Sequence, residues 1–121
     1  MAKYIKTEML YEGKAKKLYA LKNQKNLVMQ EFKDDATAFN ALKRGTISNK
    51  GIINNRISEV IFKYLEKKGI KTHLVERISE REMIVRKVKI IPLEVIVRNI
   101  AAGSLLKKTY SGVFLQRRCN G

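Results

Sequence analysis

One cysteine, one proline, one histidine and no tryptophan occur among the 121 residues, and lysine plus arginine outnumber the acids 26 to 11. The lone Cys119 has no partner for an intramolecular disulfide or a metal cluster, which excludes a cystine-stapled scaffold and points to a reducing compartment. A single proline together with 45% hydrophobic residues argues against a disordered chain. No apolar run approaches the roughly 20 residues that span a bilayer, and the opening MAKYIKTEML has no apolar stretch of the signal-peptide kind. The expected setting is soluble and cytoplasmic, without membrane contact. His73 stands in an apolar run with no second ligand at metal-binding spacing and reads as a structural or surface residue.

What is abundant is positive charge. A formal +15 implies an anionic partner or an acidic complement of the same molecule. The basic residues are spread along the chain instead of being gathered in one arm, which weakens the usual inference of nucleic acid. A basic RNA-binding module is kept as the alternative reading. The length, 121 residues, allows one domain with a modest core.

The pattern of apolar residues divides the chain. Met9–Tyr11, Lys17–Leu21 and Leu27–Phe32 are short β-like runs, separated by EGKAK and by KNQKN, whose asparagines suit a tight turn. KDDATAFNALKRGTISNKG breaks that pattern with acids and small residues and reads as a surface loop or mixed segment. From Ile52 the period changes. Ile53, Ile57, Val60, Ile61, Tyr64 and Leu65 fall on one stripe of a helix, with Ser48 or Asn49 placed to cap its start and Gly69 to end it. That stripe is expected to lie on the sheet. Thr72–Ile78, Met83–Val88 and Leu93–Ile100 read as further strands, with ISERE as a turn and Pro92 at a connector. The fold class is α+β: an antiparallel β-sheet lobe packed by one long helix.

Two stretches carry chemistry. In YEGKAKKLYAL a glycine and three lysines sit at the turn between two strands. Such a turn brings backbone N–H groups and ammonium charge to a polyphosphate, and a solvated lysine-rich hairpin is the plain alternative. In EVIVRNIAAGS a strand ends at Arg98, and a small-residue turn presents Ser104. A guanidinium fork and a hydroxyl at a helix start suit a phosphate, whereas an edge strand with a surface arginine and an N-cap serine is the plain alternative.

The blocks LYEGKAKKLY, KDDATAFN, SNKGIINNRIS, GIKTHLVERIS and KVKIIPLEVIVRNIAAGS resemble, in order and spacing, the N-terminal part of the phosphoribosylaminoimidazole-succinocarboxamide synthase (SAICAR synthetase) family. The resemblance runs from about Leu10 to Lys108. It implies a purine-biosynthesis ligase that uses ATP and Mg2+ to join L-aspartate to carboxyaminoimidazole ribonucleotide through an acyl phosphate, giving SAICAR, ADP and phosphate. Residue by residue, it implies ATP contacts for Gly13, Lys14, Ala15 and Lys16, and adenine-side contacts for Lys87, Val88 and Ile90. Arg98 and Ser104 match positions that hold the ribonucleotide 5′-phosphate, and Asp35 and Glu94 take substrate-side places. No residue is assigned as the catalytic group or as a metal ligand, since the family's magnesium-binding acids lie in its second half. Residues 1–109 are expected to form the nucleotide-binding lobe and 110–121 a divergent tail. A fragment of this kind is expected to be inactive alone, and the full-length family member is a possible homo-oligomer.

Overall fold

The computed structural model describes residues 3–38, 42–100 and 103, together with the backbone of 114–117. Two compact units divide the chain, Met1–Val88 and Lys89–Gly121. The expected boundary near residue 109 lies outside the described residues.

The first unit contains β1 (Lys6–Glu12), β2 (Lys16–Leu21), β3 (Leu27–Phe32), β4 (Asp35–Ala38), β5 (Lys43–Thr46), α1 (Lys50–Lys67), β6 (Leu74–Arg77) and β7 (Glu82–Arg86). Five of these strands form one antiparallel sheet in the order β1-β2-β3-β7-β6. The expected turns close it. Asn23 adopts a left-handed φ of 61° between β2 and β3, as asparagine tolerates. Between β6 and β7, the Ile78 and Ser79 N–H groups both donate to the Glu82 carbonyl, at 3.0 and 3.2 Å. The segment read as a loop holds a short hairpin instead, with Asp35 opposite Thr46 and Ala38 opposite Lys43. Its strands are four residues long and largely exposed, and the only alternation, in DATA, rests on alanine, too weak a signal to announce a strand.

The core lies on both faces of the central strands. Alternate side chains of β3 and β7 point to opposite sides, as the pleat requires. Val28, Phe32, Met83 and Val85 join Leu74 and Phe62 on one face. On the other, Met29 and Ile84 join Leu21, with Tyr4, Tyr19 and Leu27 against them.

Helix α1 packs on β3 and β6, but not by the expected stripe. Ile53, Ile57, Val60, Ile61 and Tyr64 are 51–67% exposed, whereas Gly51 and Asn55 are buried. A polar anchor sets this rotation. The Asn55 side-chain Nδ2 donates to the carbonyls of Ser79, Glu80 and Glu82 at 3.0, 2.9 and 3.4 Å, and Arg77 Nε donates to Glu59 at 2.5 Å. Turn carbonyls that meet a helix need donors, so the face that docks is the one carrying Asn55. The apolar stripe then points outward.

The helix ends also differ in how they are capped. At the C-terminus the Gly69 N–H donates to the Glu66 carbonyl and the Ile70 N–H to that of Leu65, at 3.0 and 2.9 Å, with Gly69 at φ 86°. This is a Schellman motif, and the expectation for Gly69 holds. At the N-terminus, Asn49 is the N-cap, at a left-handed φ of 67°, and its side chain makes no cap bond. The Asp34 carboxylate caps instead, accepting the Gly51 N–H at 2.8 Å. A carboxylate at this end also meets the positive pole of the helix.

In the second unit β8 (Leu93–Ile96) pairs antiparallel with β9 (Phe114–Arg117), Leu93 opposite Arg117 and Ile96 opposite Phe114. The strand expected to reach Ile100 stops at Ile96, where the four-residue partner also ends.

Gly51 is where the first unit is tightest. A Cβ there would lie 2.6 Å from the Phe32 carbonyl oxygen and 2.6 Å from Arg81 Nη1. Backbone cannot yield as a side-chain tip does, so the clash outweighs alanine's better helix propensity. Gly51→Ala is expected to lower the urea-unfolding free energy by about 1–3 kcal/mol, measured by circular dichroism, while Gly45→Ala, which meets nothing within 4 Å, leaves it nearly unchanged.

Candidate functional site

The turn from Gly13 to Lys16 joins β1 to β2 and is closed by the Gly13 N–H donating to the Lys16 carbonyl at 2.9 Å. Gly13 is not left-handed among the described residues; its requirement is space. A Cβ would meet the Tyr11 hydroxyl at 2.9 Å. Lys14 is exposed, Ala15 and Lys16 half-buried. Among the described residues no backbone carbonyl takes the N–H of Lys14 or of Ala15.

Beneath this turn lies the link between β3 and β4, residues Lys33 and Asp34. The Lys33 N–H donates to the Ala15 carbonyl at 2.8 Å. Its ammonium reaches Glu12 Oε1 at 2.9 Å, Asp35 Oδ2 at 2.7 Å and the Gly13 carbonyl at 3.3 Å. Lys50 Nζ donates to the Asp35 carbonyl at 2.5 Å. The predicted residue Asp35 is thereby brought beside the predicted turn. Hydrogen bonding to Lys33 is the first cause that holds the Asp35 carboxyl below its ordinary range, with the charges of Lys33, Lys17 and Lys50 adding to it. Glu12 is lowered by Lys33 in the same way, and the Lys33 ammonium is raised by Asp35 and then Glu12. The arrangement offers anions a cationic turn whose two nearby acids are already matched.

Lys87 and Val88 follow β7 and are exposed, with the Lys87 N–H anchored on the Asn26 carbonyl at 2.8 Å. Ile90, Glu94 and Arg98 belong to the second unit and are exposed. Glu94 lies on β8 opposite Gln116. Arg98 Nη1 is 3.9 Å from where a Cβ would stand on Gly103, itself left-handed at φ 58°. Ser104 lies outside the described residues.

His73 stacks edge-on against Phe62 at 5.0 Å between ring centres. Burial is the first cause that lowers its pKa, with Lys16 and Arg86 contributing, so it packs neutral between helix and sheet. Sequence reasoning passed over Lys33, Asp34, Lys50 and Arg81. Their only trace is a KDD tripeptide and isolated cations, types common in any polar loop.

Magnesium, implied by the resemblance, finds no ready cage here. Among the described residues no three histidines, cysteines or acids are grouped to hold a metal, and Glu12 and Asp35 both serve Lys33. These residues do not by themselves fit the ion. No described helix is long and apolar enough to cross a membrane.

Comparison with known proteins gives one consistent result. The SAICAR synthetase family model matches residues 9–119. A phosphoribosylaminoimidazole-succinocarboxamide synthase of Thermoanaerobacter sp. strain X514 is 59% identical over 103 residues, covering 85% of this chain and 43% of that protein. Among solved structures, the synthase from Ehrlichia chaffeensis superposes with a TM-score of 0.79 at 43% identity, covering 89% of this chain and 48% of that one. A type-2 SAICAR synthetase in complex with ADP does so with a TM-score of 0.81 at 40% identity, covering 93% and 51%. The chain thus spans less than half the length of the curated relative.

Asp34 anchors the floor of the candidate site and makes it acid-sensitive. Hydrogen bonding from Arg81, then from the Gly51 backbone, lowers its pKa to about 2. A depressed carboxylate contributes stability above its unfolded pKa of about 3.9 and loses it as pH falls toward the folded value. The urea midpoint of the wild-type chain is expected to fall steadily from about pH 4 to pH 2. In Asp34→Asn it is already lower at pH 7 and falls less across that window; an equal fall in both proteins would refute the assignment.

Proposed function

The chain belongs to the SAICAR synthetase family, and on that footing we propose that it carries the nucleotide-phosphate portion of a purine-biosynthesis ligase. The whole enzyme joins L-aspartate to carboxyaminoimidazole ribonucleotide with ATP, giving SAICAR, ADP and phosphate. A carboxylate is a poor electrophile, so the γ-phosphoryl group is first passed to it, and the aspartate amine then displaces phosphate from the acyl phosphate. What this chain supplies is charge and position for that transfer.

In this reading Gly13, Lys14, Ala15 and Lys16 hold the ATP phosphates through ammonium groups and backbone N–H donors. The carrying observation is the turn itself: exposed Lys14, N–H groups of Lys14 and Ala15 not taken by backbone carbonyls, and matched acids beneath. A relative in complex with ADP supports nucleotide binding within the family. Lys87, Val88 and Ile90 flank the adenine. Arg98 and Ser104 hold the 5′-phosphate of the ribonucleotide, with Asp35 and Glu94 on the substrate side. Mg2+, if bound by the whole enzyme, would supply charge to the moving phosphoryl group, and none of the described residues is assigned to hold it.

Residues 1–109 are read as the nucleotide-binding lobe and 110–121 as a tail. The family model matches residues 9–119. The setting is cytoplasmic, and the full-length protein self-associates. Nothing in the comparisons favours the RNA-binding alternative.

Titration calorimetry of the 121-residue chain with ADP is expected to show saturable binding. Lys14→Ala and Lys16→Ala each weaken it about tenfold, equivalent to about 1.4 kcal/mol, whereas Arg98→Ala leaves it unchanged. The same chain is expected to form no SAICAR from ATP, aspartate and the ribonucleotide, because preorganised charge from only part of the site does not stabilise the transition state. A folded chain that gives no heat with ADP overturns the proposal.

A further inference from the structure

Three N–H donors on the Lys33 ammonium meet three acceptors: Glu12 Oε1 at 2.9 Å, Asp35 Oδ2 at 2.7 Å and the Gly13 carbonyl at 3.3 Å. Those acceptors come from the end of β1, the start of β4 and the turn between β1 and β2. The lysine side chain is only 14% exposed, unlike the ordinary surface lysine, whose flexible stem leaves its head in water. The same residue's backbone N–H takes the Ala15 carbonyl at 2.8 Å. Lys33 therefore grips the turn at two carbonyls, two residues apart.

The geometry of the peptide bond gives this grip a direction. In a trans peptide the C=O and the following N–H point opposite ways. With the Gly13 carbonyl drawn toward the Lys33 ammonium, the Lys14 N–H is turned to the other side of the chain, where no backbone carbonyl among the described residues receives it. Charge acts in the same sense. Glu12 and Asp35 are two carboxylates beside a turn read as binding polyphosphate, and unmatched they would repel it. Charge-assisted bonds from one ammonium hold both, and Asp34, the next residue, ties the link to Arg81 at 2.6 and 2.9 Å.

We propose that Lys33 is the positioning residue of the nucleotide turn: it aims the Lys14 N–H outward and keeps Glu12 and Asp35 from repelling phosphate, without touching the nucleotide itself. This rests on the nucleotide reading of Gly13–Lys16. Nothing in the resemblance assigns Lys33 a role.

The test is Lys33→Met, with Lys33→Arg as the variant that retains charge and Lys33→Gln in case the methionine chain does not fold. Two readouts are taken on the full 121-residue chain: ADP affinity by calorimetry, and amide hydrogen exchange resolved at Gly13, at residue 33 and at the core residues Met83–Val85. In Lys33→Met, ADP affinity is expected to fall about tenfold. Exchange at the hydrogen-bonded turn amides, Gly13 and residue 33, rises about fivefold or more while that at Met83–Val85 is unchanged, since local opening is separable from global unfolding. Lys33→Arg recovers most of the affinity. Adding Glu12→Gln to Lys33→Met recovers part of it, because one of the two exposed carboxylates is gone. Wild-type ADP affinity in a folded Lys33→Met overturns the proposal, and so does an equal rise of exchange in turn and core, which marks a lysine that only stabilises the fold. If the wild-type chain itself gives no heat with ADP, the nucleotide reading fails, and exchange unchanged by Lys33→Met at Gly13 and residue 33 then overturns the grip separately.

Discussion

The Asp34 carboxylate accepts both terminal nitrogens of the Arg81 guanidinium, at 2.6 and 2.9 Å, and the Gly51 N–H at 2.8 Å. Its partners lie 47 and 17 residues away along the chain. By joining the β6–β7 turn to the start of α1, it fixes where the helix begins and how close it comes to the end of β3. Gly51 follows from that closeness, because only hydrogen fits between the helix and the Phe32 carbonyl. Bidentate guanidinium–carboxylate pairs are the most geometrically demanding of charge-assisted bonds. Here that demand is turned into position as well as stability.

On this frame the tripeptide Lys33-Asp34-Asp35 works in three directions at once. Lys33 holds the β1–β2 turn, Asp34 holds the helix, and Asp35 returns the charge of Lys33 while its carbonyl receives Lys50. A cationic turn in a chain of formal charge +15 is costly unless anions answer it. The two resident acids answer part of the charge, and a polyphosphate suits the remainder. Helix α1 shows the same preference for specific polar contact over apolar area. Asn55, fully buried, donates to the turn carbonyls, and the five large apolar residues opposite it stay exposed.

Much of the fold is legible in the sequence. The strand runs, the asparagine turn at Asn23, the ISERE turn and the glycine end of the helix all rest on local rules of period, turn conformation and left-handed glycine. The lysine turn is legible too, because clustered charge and glycine stand out in a short window. The β4–β5 hairpin was not, for its strands are short, largely exposed and without a large apolar residue. Nor was the N-terminal cap: an asparagine stands at the capping position, but the capping oxygen belongs to Asp34.

By itself, then, the amino-acid order determined the number and kind of most elements, the family, and the turn that concentrates positive charge, since each is written in residues at most a few positions apart. Only the tertiary structure decided which face of α1 meets the sheet, which lysine stands under the turn and which acid caps the helix. Those choices are made by hydrogen bonds between Asn55 and Ser79, Lys33 and Gly13, Asp34 and Arg81. Contacts 20 to 47 residues apart have no period to leave in the chain, and polar groups choose partners by geometry, not by spacing.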